Sequence, residues 1–155
     1  MSPKSKISSI LCGVSGEYFV AAELSRRGYI ASITLRNTRG VDILASNLDA
    51  TKSAGIQVKT NQGSERVWLL NQKAESGLAE NLFYIFVNLN GQSAPPSFHV
   101  VPGHIVSKYC LTSHAEWLSK PGRGGRVRND SPMRKFKDPE GKYLNAWDLL
   151  RLDVV

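Results

Sequence analysis

Four side chains stand out because their types disagree with the segments that carry them. Glu17 lies in a stretch whose apolar residues repeat at helical spacing. At about 100° per residue, Val14, Glu17, Val20, Ala21 and Leu24 share one side, while Glu23, Arg26 and Arg27 gather on the other. The azimuth of Glu17 falls between those of Ala21 and Leu24, inside the apolar stripe. A carboxylate aimed at a core is costly unless it is paired, protonated or metal-bound. The alternative is a helix rotated so that Glu17 reaches a wet margin. Asp42 interrupts the apolar run Val41, Ile43, Leu44, Ala45, where aspartate has poor strand propensity. Its alternative role is to cap the preceding turn. Gln57 and Lys59 alternate with Ile56 and Val58, so the two polar residues share one strand face. Taken alone, that alternation is ordinary solvent exposure.

These residues need particular elements to hold them. A helix is predicted over residues 13–27, with Ser15 as a candidate cap and Gly28 as its stop. Strands follow over 29–35, 41–45 and 55–60, the last two joined by a polar hairpin connection over 46–54. After a short apolar segment at 67–70, a polar helical stretch is expected over 71–81. Residues 82–89 are almost all apolar or aromatic and read as a strand covered on both faces, returning through 98–101 after a turn. Helices are expected from 104 to 109, at 113–118 with Ser113 as N-cap, and at 143–150. Pro121, Gly122, Gly124 and Gly125 point to a mobile basic loop. There are no internal repeats. The order of elements gives an α/β domain with a mixed central sheet flanked by helices.

In order and spacing, a helix glutamate, a strand aspartate and a Gln-x-Lys pair resemble the PD-(D/E)XK nuclease superfamily, the restriction-endonuclease-like fold shared by archaeal-type Holliday-junction resolvases. The residues that carry the resemblance are Gly16 and Glu17, the helix exit from Leu24 to Tyr29, the segment from Gly40 to Ala45, and Ile56, Gln57, Val58 and Lys59. They cover roughly residues 13–60. The resemblance implies a metal-dependent endonuclease acting on DNA, with Glu17, Asp42, Gln57 and Lys59 as catalytic residues. It implies Mg²⁺ or Mn²⁺ as cofactor, held by Asp42, the Gln57 side-chain oxygen, the Val58 backbone carbonyl and Glu17, the last through water or on a second ion. Mg²⁺ takes oxygen ligands and keeps several waters; it acidifies a bound water and offsets phosphate charge. Lys59 then positions or deprotonates the attacking water, or stabilises the developing phosphorane. The chain departs from the commoner pattern at Gln57, where a carboxylate is usual. An amide keeps the oxygen and loses the charge, which lowers cation affinity; some active branches of the superfamily share this Gln-x-Lys form.

Charge supports a polyanionic partner. The 155 residues carry 20 Lys and Arg against 13 Asp and Glu, a net charge of +7. Eight basic and three acidic residues fall between Lys120 and Lys142, so that span holds +5 of the total. A solubilising surface loop is the bland alternative. Arg36, Asn37 and Arg39 on the turn before Asp42, Thr60 and Asn61 (with Gln62 and Ser64) after Lys59, Lys73, and Arg123, Arg126 and Arg128 are the candidate nucleic-acid contacts. Such contacts position a strand without reading its sequence.

Length and composition bound the rest. One domain spanning 1–155 is expected, with a basic, loop-rich segment at about 119–143. Apolar residues make up 41% and charged residues 21%, which excludes a disordered or collagen-like chain. No apolar run approaches a membrane span and no secretory signal is apparent, so a soluble cytoplasmic protein is expected. Cys12 and Cys110 are read as small buried hydrophobes. His99, His104 and His114 lack metal-ligand spacing, and Trp68, Trp117 and Trp147 are assigned to the core. A homodimer is implied by the resemblance only. Two competing readings stay open: a nucleic-acid-binding module that has lost turnover, favoured by Gln57, and a protein-interaction or accessory subunit.

Overall fold

The first helix, α1 (Ser9–Arg26), starts four residues before the predicted point, because Ser8 and not Ser15 is its cap. The Ser8 side chain accepts the Leu11 N–H at 3.2 Å. Gly28 ends the helix as expected, with φ at +88°. This chain is described as a computed structural model covering residues 6–35, 40–77 and 79–153. The buried row of α1 is Cys12, Gly16, Val20 and Leu24, one residue every turn. Glu17 therefore flanks the buried stripe rather than occupying its middle, and it is half-buried.

A five-stranded mixed sheet runs in the order β1 (Ile30–Ile33), β2 (Ile43–Ser46), β3 (Ser53–Asn61), β5 (Leu82–Asn88), β6 (Ser97–Pro102). Neighbours are antiparallel except β3 and β5, which run parallel. The hairpin between β2 and β3 is held by buried Asn47, whose Oδ1 accepts from Lys52 N at 2.9 Å and whose Nδ2 donates to Thr51 at 2.9 Å. In β5 the side chains alternate between two cores, as the nearly continuous apolar run requires. Phe83, Ile85 and Val87 join Val20, Leu24, Ile56 and Val58 on the α1 side. Tyr84 and Phe86 join Trp68, Val106, Cys110 and Phe136 on the other.

That second side is covered by elements the sequence only half announced. The segment at 67–70 is a strand, β4 (Val67–Asn71), paired antiparallel with β7 (Met133–Lys137) in a separate two-stranded sheet. β7 lies inside the stretch expected to be loop. Its inward positions are Arg134 and Phe136, so the apolar alternation is broken by an arginine. Arg134 is 4% exposed and is neutralised by Glu75, with its Nη1 donating to Ser131 O at 2.6 Å and Met133 O at 3.0 Å.

Several boundaries differ for local reasons. The two helices expected over 104–118 are one, α2 (Gly103–Ser119), and the Ser113 hydroxyl bonds back to Cys110 O instead of capping. The stretch 71–81 holds only a 3-10 turn, Gln72–Ser76, capped by Asn71 Oδ1 on Lys73 N at 2.7 Å. The closing helix shrinks to the 3-10 turn Trp147–Leu150. The glycine-rich loop folds on itself: Gly122 N donates to Arg126 O at 2.7 Å and Gly125 N to Gly122 O at 3.1 Å. Trp68 and Trp147 are buried, whereas Trp117 is 41% exposed, with Arg128 over its ring at 4.8 Å. Both cysteines are free and buried. Among the described residues, no helix is long and apolar enough to cross a membrane.

Candidate active site

The site forms where β2 stops and β3 continues. The register Ile43 opposite Ile56 is the last regular pair toward the Asp42 end. There the Asp42 N–H still donates to Ile56 O at 2.8 Å, but its carboxylate takes over as acceptor, with Oδ2 receiving the Val58 N–H at 2.7 Å. Asp42 thus closes the ladder in place of a strand carbonyl, which is why aspartate is tolerated in that apolar run. One hydrogen bond leaves a carboxylate with spare acceptor capacity.

This contact puts Asp42 against the peptide between Gln57 and Val58. Gln57 and Lys59 emerge on the β3 face opposite Ile56 and Val58, and both line one cavity of about 870 Å³. Its walls include Lys73 and Ala74 of the 3-10 turn, Leu70 and Asn71 at the end of β4, and Tyr84 of β5. Burial first, then the neighbouring Cys110 and Asp42, push the Tyr84 hydroxyl up to about 12.

Glu17 comes from the other side of β3. The approach of α1 is set by Gly16: a Cβ there would stand 1.8 Å from Thr60 Oγ1. Glu17 follows that contact by one residue. Among the described residues, the cavity lining includes Gln57 and Lys59 but neither Glu17 nor Asp42.

Two expected phosphate contacts are corrected. Thr60 faces α1, where its hydroxyl is buried without a hydrogen-bond partner, so it has no access to a strand of nucleic acid. Asn61 spends its amide on the chain itself, donating to Glu65 O at 3.1 Å and Val67 O at 2.7 Å. Gln62 behaves alike, bonding Ile7 N at 3.1 Å and Ile7 O at 2.6 Å. Asn61 and Gln62 tie the end of β3 to its surroundings as it leaves the sheet. Arg36, Asn37 and Arg39 lie outside the described residues. Lys73 lines the cavity. Arg123 and Arg126 are exposed, and Arg128 bonds Trp117 O at 2.9 Å; all three lie in the segment that follows α2. Tyr84 was hidden inside a strand that reads as pure core; a hydroxyl where phenylalanine would pack equally well was the available signal.

The donor set suits a hard cation: one carboxylate from Asp42, the amide oxygen of Gln57 and the Val58 carbonyl, all oxygen. It is lean in charge. Among the described residues, no group of three His, Cys, Asp or Glu side chains could hold a metal.

The architecture, a five-stranded mixed sheet flanked by helices, is a restriction-endonuclease-like fold. A bacterial homing endonuclease superposes over 94% of this chain and 92% of its own, with 16% identity and a TM-score of 0.55. Hjc, a Holliday junction resolvase from the archaeal hyperthermophile Archaeoglobus fulgidus, matches over 81% of this chain and 84% of its own, with 16% identity and a TM-score of 0.48. The fold assignment rests on the first of these. The sequence matches no protein-family profile and no curated protein.

Proposed function

We propose that this protein is a metal-dependent endonuclease that hydrolyses phosphodiester bonds in DNA, acting in the cytoplasm. The observation that carries this reading is the Asp42 carboxylate held on the Val58 N–H, with Gln57 and Lys59 on either side of Val58 lining a cavity shared with Lys73. Asp42, Gln57 and the Val58 carbonyl would hold Mg²⁺ or Mn²⁺, with Glu17 assisting from α1. Bound there, such an ion supplies a more acidic water and polarises the phosphate. The remaining work falls to the chain. Lys59 and Lys73 offer two ammonium groups to the phosphate and its developing charge. The Val58 N–H keeps the Asp42 carboxylate oriented, so no rotamer search precedes the reaction. Arg123, Arg126 and Arg128 would hold the duplex outside the cavity through its backbone.

A second copy is the partner assigned to α1. Ile10, Leu11, Tyr18 and Phe19 are all exposed on that helix, and Glu17 is its one charged residue before Glu23. A protein of net charge +7 meets itself with least repulsion through such a surface.

Plasmid nicking in Mg²⁺ or Mn²⁺ tests the main reading. Asp42→Ala and Lys59→Ala should each slow cleavage by roughly 10²- to 10³-fold. Equal rates in all three proteins overturn it. The single firmly placed carboxylate favours one other reading, a nucleic-acid-binding module without turnover. Calorimetry decides between them: no heat with Mn²⁺, alongside salt-sensitive DNA binding, selects the inactive module.

A further inference from the structure

The cavity beside Gln57 and Lys59 contains a polar group that none of the roles above uses. Tyr84 is 4% exposed, and its ring is held by stacking on Phe86, with centroids 5.6 Å apart and planes within 10°. In the parallel pairing of β3 with β5, Tyr84 is the register partner of Gln57, and Phe86 that of Lys59. Two adjacent positions on one face of β5 thus carry the same ring, one with a hydroxyl and one without. The hydroxyl is on the residue that lines the cavity.

Among the described residues, the Tyr84 hydroxyl makes no hydrogen bond to the protein. Four other buried polar atoms are also unpartnered, Thr60 Oγ1, Asn88 Oδ1, His99 Nε2 and Trp147 Nε1, but those are sealed off from solvent. The Tyr84 residue differs because it lines an open chamber whose other polar walls are the amides of Gln57 and Asn71, the Ser76 hydroxyl and the ammonium groups of Lys59 and Lys73. A buried phenol that packs as phenylalanine would, yet leaves its donor facing such a chamber, is placed to meet an acceptor that arrives from outside.

We propose that the Tyr84 hydroxyl donates a hydrogen bond to the phosphodiester bound over Gln57 and Lys59, making it a substrate-contacting residue of the cavity. This rests on the nuclease reading for the identity of the ligand, though the contact itself is a matter of binding. Lys59 and Lys73 supply charge, which attracts a phosphate from any direction; the fixed phenol supplies direction. It stays protonated at neutral pH, so it acts as a donor throughout the working range, and it brings no further positive charge near the cation ligands.

Tyr84→Phe keeps the ring and its stacking, so the fold is preserved and only the donor is lost. The first measurement is fluorescence anisotropy of a labelled DNA duplex in EDTA, where neither metal nor cleavage contributes. The variant should bind roughly 10- to 100-fold more weakly, the range for a hydrogen bond to a charged group, with an unchanged Tm. The second uses protein labelled at tyrosine 13Cζ. The resonance missing from the variant should shift when the same duplex is added to wild type. Equal affinities together with a stationary resonance overturn the proposal and leave the nuclease reading intact. If the variant binds more weakly while Asp42→Ala nicks plasmid as fast as wild type, the catalytic reading falls and the Tyr84 contact stands. A wild-type protein that binds no duplex overturns both.

Discussion

The two faces of β3 carry alternate residues of one short strand and have opposite fates. On one side Ile56 and Val58 are buried against α1, and Gly16 lets the helix approach Thr60 so closely that its hydroxyl is sealed. On the other, Gln57 and Lys59 face the β4–β7 sheet and its 3-10 turn, which stand far enough away to leave about 870 Å³ of space. A helix laid directly on a sheet excludes water. The second sheet packs on β5 through Trp68, Phe136 and Phe86, and the 3-10 turn tied to it by Arg134 and Glu75 leaves a chamber over Gln57 and Lys59. The site exists because the two coverings are unlike.

Disrupting the open side should cost most. Arg134→Ala leaves Glu75 without its partner in the turn that also carries Lys73 and Ala74, and removal of one member of a buried pair costs about 3–5 kcal/mol. Urea unfolding should show that loss, and duplex affinity should fall with it; a loss of under about 1 kcal/mol would mean that the pair does not support the chamber wall.

The sealed side should respond to added volume and leave the chamber alone. Gly16→Ala forces a methyl into Thr60, an overpacking penalty of about 1–3 kcal/mol, which Thr60→Ala should largely relieve in the double variant. Duplex binding by the folded double variant should match wild type. If it drops sharply, the faces are coupled and the contrast fails.

The smallest effect is on acid stability. His99 is buried on β6 with its ring bonded to Asp138 at 2.6 Å. Burial holds the imidazole below its usual 6.5, outweighing the carboxylate's pull. For Asp138, burial pushes upward but is outweighed by bonds from His99, Tyr143 N and Lys142 N, so its carboxyl lies below 3.8. Both groups take up protons less readily folded than unfolded. Their stabilisation is complete above pH 6.5 and is lost as pH falls, first through the histidine range and then through the carboxylate range. Thermal unfolding between pH 8 and 4 should show a decline beginning near 6.5, of at most about 1.4 kcal/mol per pH unit from one group. In His99→Gln the curve should be flat down to the carboxylate range; a decline of unchanged slope near 6.5 would assign the effect elsewhere.

The local grouping of the candidate residues was legible because it depends on short-range rules. The two-residue period of a strand places Gln57 with Lys59, and the hairpin joining β2 to β3 is enough to bring Asp42 beside them. Glu17 was harder. Its helix is apolar on nearly all sides, so periodicity did not single out the buried row, and the later start at residue 13 left out the Ser8 cap. β7 escaped because an inward arginine breaks alternation, and only Glu75, fifty-nine residues earlier in the chain, makes that position tolerable. Thr60 and Asn61 were misplaced for a similar reason: their partners, Gly16, Glu65 and Val67, belong to other elements.

The amino-acid order by itself determined the class of fold and the local grouping of an acid, an amide and a lysine, since strand period and hairpin length act over a few residues. Tertiary structure decided which face of β3 is open, that Lys73 and Tyr84 share its chamber, and that Thr60 does not. Those outcomes depend on the parallel β3–β5 register and on the docking of β4 with β7. Both join residues far apart in the chain, where pairing energies and not propensities choose the neighbours.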